Sequence, residues 1–170
     1  MVQVHTTTYG PALRKAIIGA KDRVWISTYV TALNFKKRSD PVHILFILLQ
    51  ERLAAGLDVR VLIDHPRPHK PNYHVVQFMI RRLKTWKIPF WIAPLETTCH
   101  GKVVLIDGKK AFVGSHNLAK SSFKNPLELS VEISGKRAIR EISEWFMKSF
   151  ENPRFDYYPP GDYEIPDVYP

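Results

Sequence analysis

The predicted fold is built around residues 100–117, which read His-Gly-Lys-Val-Val-Leu-Ile-Asp-Gly-Lys-Lys-Ala-Phe-Val-Gly-Ser-His-Asn. The apolar run 103–106 is bounded by polar residues, which is typical of a buried strand. Asp107-Gly108 predicts a turn, and 111–113 predicts a second short strand that returns beside the first. The stretch therefore predicts a β-hairpin that ends in the small and polar residues 114–117.

The polar residues of this stretch suit chemistry at a phosphate group. His100 and Lys102 are two positions apart, so on a strand they point to the same face. An ammonium there can hold a phosphate oxygen, and an imidazole can attack phosphorus or transfer a proton. Ser115 and Asn117 add a hydroxyl and an amide for the remaining oxygens. No carboxylate cluster or cysteine pair accompanies them in the sequence, so this chemistry requires neither a metal ion nor another cofactor.

The full pattern resembles the HKD motif of the phospholipase D superfamily. The matching positions are His100, Lys102, Asp107, Gly114, Ser115 and Asn117. The flanking pattern extends the resemblance over residues 9–150, and Glu128 stands where the family carries a glutamate that bonds the catalytic histidine. One motif in the chain resembles the single-motif branch, which holds small bacterial endonucleases and mitochondrial cardiolipin-hydrolase-like nucleases. In that branch two chains pair to bring two motifs together.

The resemblance and the chemistry together predict a role for each motif residue. One His100 attacks phosphorus to give a phospho-histidine, and a second His100, from a symmetry mate, protonates the leaving oxygen and then activates water. Lys102, Ser115 and Asn117 of both chains are expected to hold the phosphate oxygens. Glu128, of the same or the facing chain, is expected to orient His100.

Three neighbouring residues have competing interpretations. Asp107 belongs to the motif and is counted with the catalytic set, but a structural role in a hairpin turn near the site is favoured. His116 could be a second acid, although adjacent side chains in an extended stretch diverge and no catalytic role is assigned to it. Cys99 is disfavoured as a nucleophile because it would face away from His100 on a strand.

Length and charge limit the function classes. A chain of 170 residues predicts one domain with a proper core, and a single cysteine excludes an intrachain disulfide and a zinc site of the cysteine type. The net charge of +9 favours a polyanion, either nucleic acid or an anionic membrane surface, over plain solubility. The N-terminus lacks a leader pattern and no apolar run could span a membrane. The sequence predicts a cytoplasmic protein without stable membrane insertion, or one whose leader has been removed.

Helical and strand patterns alternate along the chain. Helix, short link and strand follow one another between residues 41 and 64, a rhythm that implies parallel neighbouring strands. Asp40-Pro41 predicts a helix start, and Gly56 predicts its end. We therefore predict an α/β fold with a mixed, largely parallel sheet flanked by helices on both faces, as the phospholipase D-like resemblance also implies.

Two basic loops are candidate substrate contacts. The first carries Lys36, Lys37 and Arg38, which a solvated turn would also explain. The second, residues 65–74, contains three prolines that exclude a helix and a central strand. Its candidate contacts are Arg67, Lys70 and the stacking ring of Tyr73. A metal site on its three histidines is disfavoured because they have no common helical face.

The last twenty residues, 151–170, differ from the predicted catalytic domain, 1–150. They hold five acidic residues, one arginine, five prolines and four tyrosines, giving a net charge of −4 and leaving +13 for the rest. The proline content predicts no regular structure, and the simpler interpretation is a tail that is disordered or held against the domain surface. The alternative is that the tail covers the basic crevice or reaches a partner chain and moderates substrate entry.

These observations favour a homodimeric, metal-independent phosphodiesterase that cleaves DNA or RNA. A phospholipase acting on an anionic lipid such as cardiolipin is the second interpretation, although no docking helix is evident. A third is a nucleic-acid-binding module without catalysis, which the intact motif disfavours. A phosphotransferase with an alcohol acceptor stays open.

Overall fold

The computed structural model describes residues 1–32 and 39–161. Its strands and helices are, in chain order, β1 Val2–His5, α1 Tyr9–Gly19, β2 Arg23–Thr28, β3 Thr31–Ala32, α2 Pro41–Ala54, β4 Asp58–Ile63, α3 Tyr73–Thr85, β5 Phe90–Ile92, β6 Val103–Ile106, β7 Lys110–Gly114, β8 Leu118–Ala119, α4 Lys120–Lys124, β9 Ser130–Ile133, α5 Lys136–Phe150 and β10 Asp156–Tyr158. The predicted start of α2 is confirmed, because Asp40 Oδ1 accepts a 2.9 Å hydrogen bond from the Val42 N–H. In the described ranges no helix has the length and apolarity to cross a membrane.

Eight strands form one sheet in the order β1-β9-β7-β6-β2-β4-β5-β10, and β3 pairs with β8 in a small second sheet. The α/β class and the helices on both faces are confirmed, but the largely parallel sheet is wrong. In the large sheet only β2–β4 and β4–β5 are parallel, while the other five pairings are antiparallel. The parallel pairs are those joined by the crossover helices α2 and α3. The β6–β7 hairpin is antiparallel because its connection is short, and its neighbours β2 and β9 also pair with it in the antiparallel sense.

Alternation along the central strands divides the core into two layers. Val24 and Ile26 of β2 face the layer covered by α1, α2, α3 and α4. Trp25 between them faces the other layer, where Phe146 and Phe150 of α5 pack against it. Both faces of β2 are buried, so the strand is fixed in the middle of the sheet and its carboxyl end has a defined position for the site.

The described part of the acidic segment is an edge strand. β10 pairs antiparallel with β5, with Tyr158 opposite Phe90 and Tyr157 opposite Trp91. The Tyr158 and Phe90 rings stack 4.6 Å apart and 3° from parallel, and Phe90 is fully buried. The prediction that the proline content prevents regular structure is therefore wrong at Asp156–Tyr158. Edge pairing and aromatic stacking stabilise a strand that local composition alone would not. Residues 162–170 lie outside the described part of the chain.

Candidate active site

His100, Lys102 and Tyr29 converge where β2 ends and β6 is about to begin. The His100 and Tyr29 rings have centroids 4.5 Å apart, and Lys102 Nζ lies 5.3 Å from the Tyr29 ring. Lys102 Nζ is 3.3 Å from Nε2 and 3.4 Å from Nδ1 of His100, and it donates a 3.0 Å hydrogen bond to the His100 carbonyl. His100 is exposed. The structure thus brings a fixed cation and an accessible imidazole together, as the His-x-Lys spacing predicts.

Gly101 lets the backbone between His100 and Lys102 lie close to α5 and β2. A Cβ at this position would lie 3.2 Å from the Trp145 ring of α5 and 3.3 Å from Ser27 Oγ of β2. Ser27 Oγ also donates a 2.9 Å hydrogen bond to the Gly101 carbonyl. These contacts hold the backbone between His100 and Lys102 from the α5 side, so both side chains project to the opposite side.

The segment that leads into His100 is held by Arg67. Its guanidinium donates to the Leu95 carbonyl at 2.8 Å, to the Thr97 carbonyl at 2.6 Å and to Asp64 Oδ2 at 2.8 Å. Asp64 Oδ1 accepts from the Cys99 N–H at 2.9 Å. These bonds engage Arg67 within the chain. They indicate a structural role for Arg67, and its predicted substrate contact stays a prediction.

Gly114 and Ser115 form the second side of the site, at the end of β7. The Gly114 N–H donates to the Lys102 carbonyl at 3.3 Å, which joins this segment to the His-x-Lys segment. Ser115 is tied to Leu129: its N–H donates to the Leu129 carbonyl at 2.9 Å, and its Oγ accepts from the Leu129 N–H at 3.0 Å. Ser115 is exposed, so its hydroxyl is both located by these bonds and open to a ligand.

Asn117 and Glu128 share a buried serine. Ser122 Oγ accepts from the Asn117 N–H and donates to Glu128 Oε1, both at 3.1 Å. The Asn117 amide oxygen accepts from the Val30 N–H at 3.3 Å, which links it to the end of β2. Parallel pairing of β3 with β8 holds the same two regions together. No sequence pattern points to Ser122, because its partners lie five and six positions away in irregular backbone.

Glu128 contacts Ser122, and among the described residues no hydrogen bond joins it to His100. Its orienting role therefore stays a prediction, for either chain of a pair. Glu128 does act on Lys102: burial lowers the pKa of the Lys102 ammonium, and the nearby carboxylate partly opposes that shift. A lysine with a lowered pKa gives up its proton more readily than an exposed one.

Asp107 lies at the end of β6 away from Lys102, one strand length from the site. Its carboxylate accepts from the backbone N–H groups of Lys21, Asp22 and Arg23 at 2.8–3.1 Å. Partial burial alone would raise its pKa, but these donors hold the pKa below its ordinary value. The prediction that the hairpin turn lies near the site is wrong, because the turn and the site are at opposite ends of the hairpin. The contacts give Asp107 a structural role.

His116 points into the protein, between Ser115 and Asn117. It is 2% exposed, its ring stacks on Tyr9 at 4.3 Å, and its Nδ1 lies 2.8 Å from Ser130 Oγ. Burial lowers its pKa, and the charge of Glu128 opposes that shift. An imidazole in this position cannot reach a leaving group, which agrees with leaving it out of the catalytic set.

The remaining candidate contacts belong to the two basic loops. Lys36, Lys37 and Arg38 lie outside the described residues. The Lys70 side chain is exposed, and the Tyr73 hydroxyl accepts a 3.0 Å hydrogen bond from Gln77 within α3. No described contact links Lys70 or Tyr73 to the catalytic pair, so their substrate contacts stay predictions. Within residues 1–32 and 39–161, no three histidine, cysteine or acidic side chains form a group that could hold a metal ion.

Tyr29 contacts both residues of the His-x-Lys pair and is not one of the motif positions. Its place near the end of β2 is the signal that the sequence offers for it, since ligand crevices open at such strand ends. Its contact with His100 depends on the pairing of β2 with β6, which local sequence does not specify.

The sheet order and the His-x-Lys site define the class of phospholipase D-like domains. The chain belongs to the family described as cardiolipin synthase, PLD-like domain, whose model matches residues 13–150. It is 28% identical over 145 residues to cardiolipin synthase A of Pseudomonas putida, covering 82% of this chain and 27% of that protein. The chain therefore spans about a quarter of the length of the curated relatives it matches.

Two solved structures share the fold over almost the whole chain. The phospholipase D family member Nuc from Salmonella typhimurium has a TM-score of 0.70 at 20% identity, covering 94% of this chain and 98% of that one. NucT from Helicobacter pylori has a TM-score of 0.68 at 17% identity, covering 89% and 96%. At these identities the likeness establishes the fold alone.

Proposed function

We propose that this chain is a metal-independent phosphodiesterase that hydrolyses DNA or RNA through a phospho-histidine on His100, at a site shared by two copies. The observation that carries the proposal is the convergence of exposed His100 with Lys102, beside Ser115 and Asn117. A phosphodiester needs its charge neutralised and its leaving oxygen protonated, and these groups supply the first requirement.

The reaction has two balanced steps. In the first, an imidazole nitrogen of His100 bonds to phosphorus as the bond to the leaving oxygen breaks, and that oxygen takes a proton from His100 of the second copy. In the second, water attacks the phospho-histidine, its proton passes to the second histidine, and His100 is released. Lys102, Ser115 and Asn117 bind the non-bridging oxygens throughout.

The requirement for a second copy follows from the number of histidines. His116 is buried and turned away, so His100 is the imidazole that this segment offers to a substrate. Exposed apolar side chains near Ser115 suit a contact between copies: Leu127 is 91% exposed and Leu129 50%. Leu129 bonds Ser115, so a partner on this surface would adjoin the site.

Nucleic acid is the favoured substrate because of charge. The chain carries 25 basic and 16 acidic residues, and the positive excess lies outside residues 151–170. A phosphodiester polymer gains affinity from each phosphate that a basic side chain neutralises. We propose that Lys36, Lys37, Arg38, Lys70 and Tyr73 contribute to this contact.

An anionic phospholipid is the second candidate substrate. It is favoured by the similarity to cardiolipin synthase A and by the exposed Leu127 and Leu129 near Ser115, since aliphatic side chains suit a membrane interface. The same attack on phosphorus would apply, because the reacting group is again a phosphodiester.

The test is cleavage of labelled single- and double-stranded DNA and RNA in EDTA, with cardiolipin vesicles in a parallel arm. His100→Ala should abolish turnover and keep the fold. His74→Ala, at a second exposed histidine, should retain it. Cleavage of nucleic acid by the wild type supports the proposal, and release of phosphatidate from vesicles alone would move the assignment to lipid. Activity that disappears in chelator and returns with a divalent ion contradicts the mechanism. Binding of DNA without cleavage of any substrate would indicate a non-catalytic module.

The shared site has its own test. Light scattering should give the mass of two chains, and activity per chain should fall on dilution as the pair dissociates. A monomer with full activity at every concentration contradicts it. Leu129→Glu should weaken pairing because it places a charge on the proposed contact, whereas Leu95→Glu, at an exposed leucine on the segment before His100, provides the comparison.

A further inference from the structure

The His116 ring is buried in the core next to the site, where other side chains enclose it. It is 2% exposed, and its ring lies 4.3 Å from the Tyr9 ring and 13° from parallel. Tyr9 itself is 3% exposed and is braced edge-on by Phe112 and Phe123. Burial of a polar ring is costly unless it is hydrogen-bonded. Here Nδ1 meets Ser130 Oγ at 2.8 Å, whereas Nε2 is buried without a side-chain hydrogen-bond partner among the described residues.

Gly114 makes that hydrogen bond possible. A Cβ on Gly114 would lie 2.3 Å from Ser130 Oγ and 2.3 Å from the Leu129 carbonyl oxygen, so any other residue would displace them. The Ser130 hydroxyl therefore occupies space that the glycine leaves open, and from there it reaches His116. One contact between β7 and β9 fixes both the backbone at Gly114 and the ring at His116.

The two residues beside His116 are those expected to hold phosphate. Ser115 is bonded to Leu129 by backbone and side chain, and Asn117 is bonded to Ser122 and Val30. In an extended stretch an inward ring between two outward side chains sets their orientation, because rotation of the backbone moves all three together. Anchoring the middle residue restricts that rotation.

We propose that His116 is a positioning residue for the phosphodiester site: its imidazole, held between Tyr9 and Ser130, fixes Ser115 and Asn117 in the arrangement that receives phosphate. This inference rests on the proposed function for its effect on turnover. His116 does not touch the substrate and transfers no proton. The groups that face it are His5 of β1, Tyr9 of α1 and Glu128.

Two substitutions separate the ring from its hydrogen bond. His116→Phe keeps an aromatic ring for Tyr9 and loses the bond to Ser130. His116→Asn loses the ring but places an amide atom where Nδ1 stood. We expect His116→Phe to lower kcat about tenfold with a smaller change in KM, because misplaced groups fail mainly in the transition state. We expect His116→Asn to recover most of that loss.

A control variant separates positioning from general destabilisation. Phe46→Leu removes a buried ring from α2, where Phe46 stacks on Trp86. With kcat expressed per folded chain from circular dichroism, Phe46→Leu should match the wild type. Ser130→Ala should share the loss seen in His116→Phe, and the double variant should be no worse than His116→Phe, because the bond between the two side chains is already absent. Wild-type kcat in His116→Phe, or equal impairment in Phe46→Leu and His116→Phe, overturns the proposal.

A second readout does not depend on turnover. The Asn117 N–H is bonded to Ser122 Oγ, so its hydrogen exchange reports the order of the segment. His116→Phe should accelerate that exchange about tenfold or more, and His100→Ala should leave it unchanged. If the wild type hydrolyses no phosphodiester, the proposed function fails and this exchange rate still decides the positioning role. Unchanged exchange in His116→Phe overturns it.

Discussion

Arg67 Nη1 donates a 2.8 Å hydrogen bond to Asp64 Oδ2, and both side chains are withdrawn from solvent, with 14% and 1% exposed. The same guanidinium bonds the carbonyls of Leu95 and Thr97, so a single arginine joins the end of β4 to the segment that precedes His100. A basic residue in a loop can thus act on the site without touching a substrate.

Arg67→Ala should destabilise the fold by about 3–5 kcal/mol, because it leaves the buried Asp64 charge without its partner. Asp64→Asn in the same chain should recover part of the loss. Urea unfolding measures both. Lys70→Ala, three positions away and exposed, should change stability by less than about 0.5 kcal/mol. Equal stability of the two single variants would contradict the structural role of Arg67.

Loss of the Lys102 proton should cause the fall in activity on the alkaline side, or alkaline limb, of the pH profile. Burial lowers its pKa and Glu128 partly opposes that shift, so the ammonium is lost below the ordinary lysine value of 10.5. Activity that needs this cation should therefore fall as pH rises through the lowered pKa. In Lys102→Arg the cation persists, so the limb should vanish while kcat is reduced, because a guanidinium fork does not match the ammonium geometry. An unchanged limb in kcat/KM between pH 7 and 10.5 would assign it to another group.

Asp107 should stabilise the fold at neutral pH and lose that effect in acid. Its folded pKa is below the ordinary value of 3.8 despite partial burial, because three backbone N–H groups bond the carboxylate. A lowered folded pKa contributes stability that is present above 3.8 and is lost as pH falls through the folded value. Asp107→Asn, which tolerates the backbone φ of 55°, should cost about 1–2 kcal/mol at pH 7.

The comparison is Asp22→Asn at the exposed Asp22–Arg23 pair, which should cost less than about 0.5 kcal/mol. Chemical unfolding at pH 7 and at pH 3 measures the difference between Asp107→Asn and the wild type. A difference of the same size at both values would show that the charge is not responsible.

Removal of the acidic segment should begin after Gly161. Deletion from residue 153 would also remove β10 and expose Phe90, so it would confuse unfolding with a change in charge. Deleting residues 162–170 removes three acidic side chains and raises the net charge from +9 to +12. DNA affinity at low salt should increase, with a steeper dependence on salt if the segment competes for the basic surface. Unchanged affinity and slope would end the covering hypothesis.

Local patterns predicted the elements that rest on local physics. The His100 to Asn117 hairpin and the Asp40 cap with Pro41 after it need only periodicity, turn chemistry and capping. The part of the site that could be predicted is the part that a single sequence motif contains, namely His100, Lys102, Ser115 and Asn117. Asp107 belongs to the same motif, yet its partners Lys21, Asp22 and Arg23 lie more than eighty positions earlier.

The hairpin, the charge and the set of reactive side chains could be read from local sequence, because they depend on residue type and on neighbours a few positions away. Tertiary packing decided that most strand pairs are antiparallel, that Tyr158 closes an edge over Phe90, and that Arg67 bonds Asp64. It also decided that Tyr29 meets His100 and that His116 turns inward onto Tyr9. Each of these depends on which distant segments pack together, and that choice is made by burial over the whole chain instead of by local preference.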